Sequence, residues 1–219
     1  MVDKLHNYRS MLLIIIIPIL FSCATTQQKA DVYNNRGLAY YHKGQYDQAI
    51  SNFNKATEID PSFAEAYSNR GGVYTDKGQY DQAISDLSKA IELNSGFSWF
   101  YFNRGTAYQY NGQYDLAISD FNKALEISPW DTGAYNNRGW TFFKKGEYDQ
   151  AISDFNRALE INPWFALAFY NRGWAYYMKK EYDKSWEDIK KAQDLGYKVS
   201  PKFLDDLRKA SGDTIEIED

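Results

Sequence analysis

Apolar and small residues recur at helical spacing along residues 30–199, and the pattern repeats every 34 residues. When each unit is numbered from its first residue, positions 4, 8 and 11 are aromatic, glycine and aromatic. This spacing places them on one face of a helix of about 3.6 residues per turn. Positions 17, 20, 24 and 27 are tyrosine, mostly alanine, mostly phenylalanine and alanine, which form one face of a second helix. The pattern predicts helix–turn–helix units at residues 30–63, 64–97, 98–131, 132–165 and 166–199.

Glycine and proline mark the ends of the predicted helices. A glycine at position 15 separates the two helices in the first four units, and Lys180 replaces it in the fifth. Proline at position 32 ends the second helix in three units, because it cannot continue the backbone hydrogen bonding. The small residues at positions 8, 20 and 27 allow two helices to approach closely, with aromatic side chains filling the space beside them.

The units share a longer motif that begins with an aromatic residue, two variable residues and Arg-Gly, and continues with Gly-x-Tyr-Asp, Ala-x3-Phe and Pro. It closely resembles the pattern of the tetratricopeptide repeat (TPR) family, which has Leu where this chain has Arg. The resemblance implies an all-α, right-handed superhelical solenoid of five helical hairpins. It also implies a protein that binds a protein or peptide partner and has no enzymatic activity.

The segment after the repeats predicts a capping helix at residues 200–212. A serine followed by Pro201 is typical of a helix start. Phe203 and Leu207 lie on one apolar stripe of this helix. A terminal repeat would otherwise expose its aromatic face, so a cap is expected here. Residues 213–219 form an acidic tail.

The N-terminal segment differs from the repeats. Residues 11–21 are apolar, which is shorter than the about 20 residues of a membrane-spanning helix and typical of a signal peptide. The sequence Leu-Phe-Ser-Cys that ends at Cys23 resembles the lipobox of bacterial lipoproteins, in which the cysteine receives acyl chains such as palmitate. We therefore expect residues 1–22 to be a signal peptide, Cys23 to be lipidated and residues 23–29 to be a tether. The alternatives are a signal peptide in which Cys23 is only a small apolar residue, and an uncleaved anchor.

Composition argues against several functional classes. The net charge is −4 and the isoelectric point is near 5.3, whereas nucleic-acid binding favours a basic surface. A single cysteine allows no internal disulfide. His42 has no second histidine or cysteine near it in the repeats, and the glycines occupy helix contacts and turns rather than a phosphate-binding loop. We predict no catalytic site, no metal site and no cofactor.

Asparagine occupies position 6 of every unit. Positions 2, 5, 6, 9, 12 and 13 lie opposite the core face of the first helix, and in the TPR family this opposite face lines the concave groove. The asparagines resemble the ladders of some TPR and armadillo domains, in which amides bind the backbone of an extended peptide. Alternatively, asparagine is polar filler or caps a neighbouring helix. The predicted ladder consists of Asn35, Asn69, Asn103, Asn137 and Asn171.

The same face changes character along the chain. In repeats 1 and 2 it is mostly small or polar, whereas in repeats 3 to 5 it is aromatic. An exposed aromatic surface is typical of an interaction site, although we expect a minority of these side chains to pack against the next repeat. Tyr110 and Met178 lie on this face as well. The residues predicted to bind the partner are Trp99, Phe102, Trp140, Phe143, Tyr170, Trp174 and Tyr177.

Arginine at position 7 and aspartate at position 23 are predicted to form structural pairs. The arginine lies at the edge of the core face and replaces the leucine of the family pattern, so a carboxylate on the second helix is its expected partner. The alternative is a row of ligand-binding arginines, but a position at the edge of the core face does not face the groove. The predicted pairs are Arg70–Asp86, Arg104–Asp120, Arg138–Asp154 and Arg172–Asp188.

These observations predict a lipid-anchored adaptor that holds a protein or peptide partner in bacterial envelope assembly. The lipobox resemblance implies a protein that faces the periplasm, anchored at the outer membrane of a Gram-negative bacterium. TPR proteins with this layout include pilus-secretin pilotins, outer-membrane assembly lipoproteins and adaptors for cell-wall hydrolases. Two alternatives remain open: a self-assembling scaffold, and an enzyme accessory that binds glycan on its aromatic side chains.

Overall fold

The computed structural model describes residues 26–212, and this part of the chain is entirely helical, without a strand. None of the helices within it is long and apolar enough to cross a membrane. The predicted signal peptide, Cys23 and the acidic tail lie outside the described residues. The helices are α1 (26–41), α2 (Tyr46–Ile59), α3 (Ala64–Asp76), α4 (Tyr80–Leu93), α5 (Ser98–Tyr110), α6 (Tyr114–Ile127), α7 (Thr132–Lys145), α8 (Tyr148–Ile161), α9 (Ala166–Met178), α10 (Tyr182–Asp194) and α11 (Pro201–Ser211).

Consecutive helices pair as the repeat pattern predicts. The most extensive contacts join α3 to α4, α5 to α6, α7 to α8 and α9 to α10, and the second helix of one hairpin contacts the first helix of the next at α2–α3, α6–α7 and α8–α9. The chain divides into two compact units, one ending at Ser95 and the other beginning at Gly96. Within each unit the predicted all-α architecture of stacked helical hairpins is confirmed.

The core of each hairpin lies at the predicted positions. The side chains at positions 20, 24 and 27 are fully buried in all five repeats, with Ser185 replacing alanine once. A Cβ atom on the glycine at position 8 would lie only 2.6–3.0 Å from the side chain at position 24. At Gly139 it would lie 2.8 Å from Cε1 of Phe155. Glycine is therefore required for the two helices to approach this closely.

The turn inside each hairpin requires a left-handed residue. The turn glycines of the first four repeats have φ between 71° and 82°. Lys180 has φ of 63° at the same place, so the fifth turn keeps the conformation even though a side chain is present. This region is unfavourable for any residue with a Cβ atom, and the fifth turn is therefore strained.

The predicted arginine–aspartate pairs are confirmed and have a further partner. In all four pairs Nε donates to one aspartate oxygen at 2.6–2.7 Å and Nη2 donates to the other at 2.6–2.9 Å. In the fourth repeat Nη1 of Arg138 also donates to Oδ1 of Asn122, on the second helix of the preceding repeat, at 2.6 Å. Arg70 and Arg172 make the same contact. In these three repeats the arginine thus joins the second helices of two consecutive repeats.

The predicted capping helix is present as α11. It begins with Pro201 at its first turn and ends before Gly212, which has a left-handed φ of 76°. Phe203 and Leu207 are buried and form a cluster with Ile189 of α10. The helix therefore covers the last repeat with the predicted apolar stripe.

Candidate functional site

The first helices of the second unit lie side by side, because α5 contacts α7 and α7 contacts α9. A cleft of about 360 Å³ opens on this face. Its lining comes from all three helices and from the turn that follows α10. The lining residues, which we call the amide cleft, are Gln109, Tyr110, Asn136, Asn137, Trp140, Leu167, Tyr170, Asn171 and Tyr197.

The polar groups of the cleft hold one another in place. Asn136 is only 3% exposed, and its Oδ1 accepts a hydrogen bond from Nδ2 of Asn171 at 2.9 Å. Nδ2 of Asn136 faces Oδ1 of Asn137 at 3.4 Å. Nε2 of Gln109 donates to the backbone carbonyl of Asn137 at 2.9 Å and to Oγ1 of Thr141 at 2.6 Å. The cleft is therefore lined by a network of hydrogen-bonded amides, of which Asn136 and Asn171 are buried.

Aromatic rings form the rim of the cleft. The side chain of Trp140 stacks on Phe143 with ring centroids 4.8 Å apart and an interplanar angle of 7°. The ring centroids of Tyr170 and Tyr197 lie 4.5 Å apart, and burial raises the pKa of the Tyr197 phenol above its ordinary value. Tyr110 is 62% exposed. None of the lining residues is charged, so the cleft suits an uncharged ligand with both apolar and hydrogen-bonding groups.

The structure brings four of the predicted binding residues into this cleft, namely Asn137, Trp140, Tyr170 and Asn171. The prediction missed Gln109, Asn136, Leu167 and Tyr197. Positions 12, 5 and 2 of the first helix hold the first three, and these positions belong to the predicted face, so the helical wheel could have identified them. Tyr197 stands where the repeat pattern has proline, and no sequence signal points to it.

The C-terminal helix covers the predicted aromatic residues of repeat 5. The rings of Trp174 and Phe203 stack with centroids 3.8 Å apart, and Tyr177 meets the same phenylalanine edge-on at 5.5 Å. Tyr170 also packs against this cluster. In repeat 4, Trp140 and Phe143 pack against the cluster that contains Ala175. Two of the seven predicted aromatic residues thus pack against the next repeat, and the three of repeat 5 pack against the capping helix.

Trp140 and Phe143 pack against repeat 5 because its first helix presents a small residue at the contact. Ala175 is small, so its helix leaves room that the large side chains of the preceding repeat fill. In repeat 3 the ring centroids of Trp99 and Phe100 lie 4.6 Å apart, and those of Phe102 and Phe121 lie 5.9 Å apart. All seven predicted aromatic side chains remain half-buried rather than fully buried. Partner binding by these residues stays a prediction.

Three of the five position-6 asparagines connect consecutive first helices. Nδ2 of Asn69 donates to Oδ1 of Asn34 at 2.9 Å, as Asn171 does to Asn136. Asn137 reaches Oγ1 of Thr106 at 3.5 Å. These contacts give the residue a structural role that is neither filler nor a helix cap. Asn35 is exposed and Asn103 is half-buried. Binding of a peptide backbone by these amides stays a prediction.

The described residues contain no group of three or more histidine, cysteine, aspartate and glutamate side chains that could hold a metal ion. His42 is exposed, and its ring lies 5.6 Å from that of Tyr41. The titratable groups with raised or lowered pKa belong to ion pairs or to tyrosines packed against other residues. We find no arrangement of acid, base and nucleophile among residues 26–212.

Several solved structures resemble this chain. MamA is 28% identical, with a TM-score of 0.66, over 73% of this chain and 93% of that chain. YrrB, described as a TPR protein with an unusual peptide-binding site, is 30% identical, with a TM-score of 0.61, over 75% of this chain and 84% of that chain. PilF of Pseudomonas aeruginosa is 22% identical, with a TM-score of 0.76 over 86% and 87% of the two chains, and this likeness shows the fold alone.

None of the curated proteins matches the chain. A family model described as TPR repeat matches residues 37–74. A second model, described as tetratricopeptide repeat, matches residues 64–97, 98–131 and 133–165. Together these matches span more than half of the chain. The predicted resemblance is thus confirmed, and the chain belongs to the tetratricopeptide repeat family, whose members are scaffolds for protein–protein interaction.

Proposed function

We propose that this protein is an adaptor that holds an uncharged, internal segment of a partner protein in the amide cleft of repeats 3 to 5. The observation that supports this is the lining of the cleft, which combines a network of amides with an aromatic rim and contains no charged side chain. Amides can donate to and accept from a peptide backbone. Aromatic rings supply most of the binding energy at protein interfaces.

The absence of charge in the lining decides which part of a partner fits. A chain terminus would bring an unpaired carboxylate or ammonium group into the cleft, and such a group is costly to bury. An internal segment brings only neutral backbone groups and the side chains that it carries. The peptide-binding site named for YrrB, at 30% identity, supports a peptide ligand.

We further propose that Cys23 carries a lipid that anchors the adaptor in the bacterial envelope, facing the periplasm. This rests on the apolar segment at residues 11–21 and on the Leu-Phe-Ser-Cys sequence. Several acyl chains would anchor the protein firmly, since each buried methylene contributes about 0.8 kcal/mol. Replacement of Cys23→Ser should abolish labelling by radioactive palmitate. A labelled, membrane-bound Cys23→Ser product would contradict the anchor.

The cleft is tested by photo-crosslinking followed by calorimetry on the full-length chain. A photoreactive amino acid at position 110, where Tyr110 is 62% exposed, should capture the partner and identify the bound segment by mass spectrometry. Binding of that synthetic segment is then measured. Trp140→Ala should weaken it by roughly 2 kcal/mol or more, as expected of an aromatic anchor. Circular dichroism checks that each variant remains folded.

A matched control is available outside the cleft. Trp130 is 69% exposed and does not line the cleft, so Trp130→Ala should leave the affinity unchanged. The lining would also suit a neutral sugar, so a soluble glycan fragment serves as the second ligand. Unchanged affinity for both Trp140→Ala and Tyr110→Ala would place the binding site elsewhere. Binding of the glycan but not of the peptide would replace the adaptor by a glycan-binding protein.

A further inference from the structure

The outer surface of the first hairpin is exposed at positions that are buried in the other repeats. The residue at position 3 is 0% exposed in repeats 2 to 5, whereas Val32, which holds this position in repeat 1, is 55% exposed. Arg36 at position 7 is exposed, whereas the side chains of the four later arginines are 16–20% exposed. An open hollow of about 610 Å³ lies here. The residues that line it, which we call the N-terminal end face, are Gln28, Lys29, Val32, Tyr33, Arg36 and Ile59.

The later repeats show what kind of element covers this surface. In repeat 5 the covering element is α8, whose Asn156 accepts a hydrogen bond from Nη1 of Arg172. Three residues further along α8, Leu159 packs in one cluster with Ala168 and Phe169, which hold positions 3 and 4. Repeat 4 repeats this arrangement with an asparagine and a leucine at the same spacing on α6. In repeats 4 and 5 the covering helix therefore presents Asn-x-x-Leu on one face, whereas α2 presents Asn54 and Thr57 to Arg70 of repeat 2.

The end face has the arginine found in the later repeats, but not the aspartate that pairs with it there. Position 23 of repeat 1 is Asn52, whose amide donates to the backbone carbonyl of Gln48 at 2.7 Å, and Arg36 has no carboxylate partner among the described residues. The ring of Tyr33 contacts two cations, with its centroid 5.7 Å from the guanidinium of Arg36 and 5.5 Å from the ammonium of Lys55. A partner that carries a carboxylate or an amide acceptor would complement this basic surface.

A second copy of this chain does not supply such a helix. Its last second helix, α10, has Lys190 where α6 and α8 have asparagine, and Gln193 where they have leucine. Lys190 placed beside Arg36 would bring two positive charges together, which disfavours the contact. In addition, α10 already contacts α11. The chemistry of the end face therefore favours a helix from a different protein.

We propose that the N-terminal end face binds an amphipathic helix of another protein, with Asn, Asp or Glu at position i and a leucine-type residue at i+3. The polar residue accepts hydrogen bonds from Arg36, and the apolar residue packs on Val32 and Tyr33. No residue of this surface lines the amide cleft, so the adaptor binds the helix and the segment in the cleft through different residues.

The test uses a labelled peptide of residues 148–161, which carries Asn156 and Leu159. A chemical cross-link between positions 149 and 153, both exposed in α8, holds it helical. Fluorescence anisotropy measures its binding to the full-length protein in detergent. We expect a peptide with Asn156→Lys to bind about tenfold more weakly, because it loses a hydrogen bond to a charged group and meets a like charge. The Arg36→Ala protein should bind the original peptide more weakly and no longer distinguish the two peptides.

Two further variants locate the effect. Lys43→Ala changes an exposed cation of the same hairpin outside the end face and should leave binding unchanged. Val32→Asp should abolish binding without lowering the melting temperature, because Val32 is exposed. A melting temperature lowered by several degrees would show that this chain covers its own end face and would overturn the proposal. Absence of binding, or equal binding of the two peptides, would overturn it as well.

Discussion

The Arg138–Asp154 pair offers a test of what the repeated arginine contributes to stability. Asp154→Ala removes two charge-assisted hydrogen bonds and leaves the guanidinium with Asn122 and with the ring of Tyr135, whose centroid lies 5.4 Å away. The arginine side chain is 20% exposed, so water replaces part of the lost contact. We expect the free energy of unfolding to fall by about 1–3 kcal/mol.

Arg138→Leu should cost more, because it leaves the 8% exposed side chain of Asp154 without its counter-ion. Removal of one partner of a buried pair costs about 3–5 kcal/mol, and this is an upper limit here because the carboxyl can take up a proton. The double replacement Arg138→Leu with Asp154→Leu removes both charges and restores the leucine of the family pattern. It should lie within about 1 kcal/mol of the wild type, since well-packed apolar residues often replace a buried ion pair without loss.

The pH dependence gives an independent signature. Burial raises the pKa of Asp154 above its ordinary value of 3.8, although the nearby Arg138 acts in the opposite direction. In the Arg138→Leu variant only burial acts, so the native pKa is higher still. A carboxyl with a raised native pKa binds its proton more tightly in the folded state, so stability is recovered as the pH falls through that pKa. The deficit of Arg138→Leu should therefore be largest at neutral pH and shrink towards pH 4.

The measurement is a double-mutant cycle by urea denaturation, followed by circular dichroism at neutral and acidic pH. Lys123→Ala is the control, because Lys123 and Glu126 form an exposed, solvent-screened pair on the preceding second helix, and its loss should leave the stability nearly unchanged. A double variant as unstable as the sum of the two single variants would refute the reasoning. So would a deficit of Arg138→Leu that does not change with pH.

Three further predictions concern single sites. Gly71→Ala should destabilise the protein by about 1–3 kcal/mol, because its Cβ would lie 2.7 Å from a leucine side chain. The adjacent Gly72→Ala, with nothing within 4 Å of its Cβ, should stabilise it by roughly 0.5–1 kcal/mol, and thermal melts compare the two. Lys180→Gly should raise the melting temperature, because φ is 63° there; an unchanged or lower value would contradict strain in that turn. The hydroxyl of Tyr41 donates to Asp76 at 2.7 Å, which raises the pKa of Tyr41 to about 12. The stability from this bond is present below the ordinary pKa of 10.0 and lost as the pH rises through 12. Absorbance titration should show one tyrosine ionising earlier in Asp76→Asn, and an unchanged curve would contradict the assignment.

The repeat pattern was sufficient to predict the hairpins, their core and the arginine–aspartate pairs. These features depend on contacts between two helices that are neighbours in the chain, at a separation that recurs every 34 residues. The glycine at position 8 and the side chain at position 24 must fit together in each repeat, so sequence spacing alone identifies them. The arginine was placed correctly for the same reason, since Asp154 lies on the second helix of its own hairpin.

The site depended on which element covers each face, and only the tertiary structure decided this. A helical wheel places Trp174 on the face opposite the core, but it does not show that Phe203 of α11 stacks on that ring. It also places Asn171 on that face, but it does not show the hydrogen bond that this amide donates to the preceding repeat. Val32 occupies the same repeat position as the fully buried Ala168, yet it is exposed. Local sequence sets the direction of a side chain, whereas its burial depends on the neighbouring helix, which is specified by residues elsewhere in the chain.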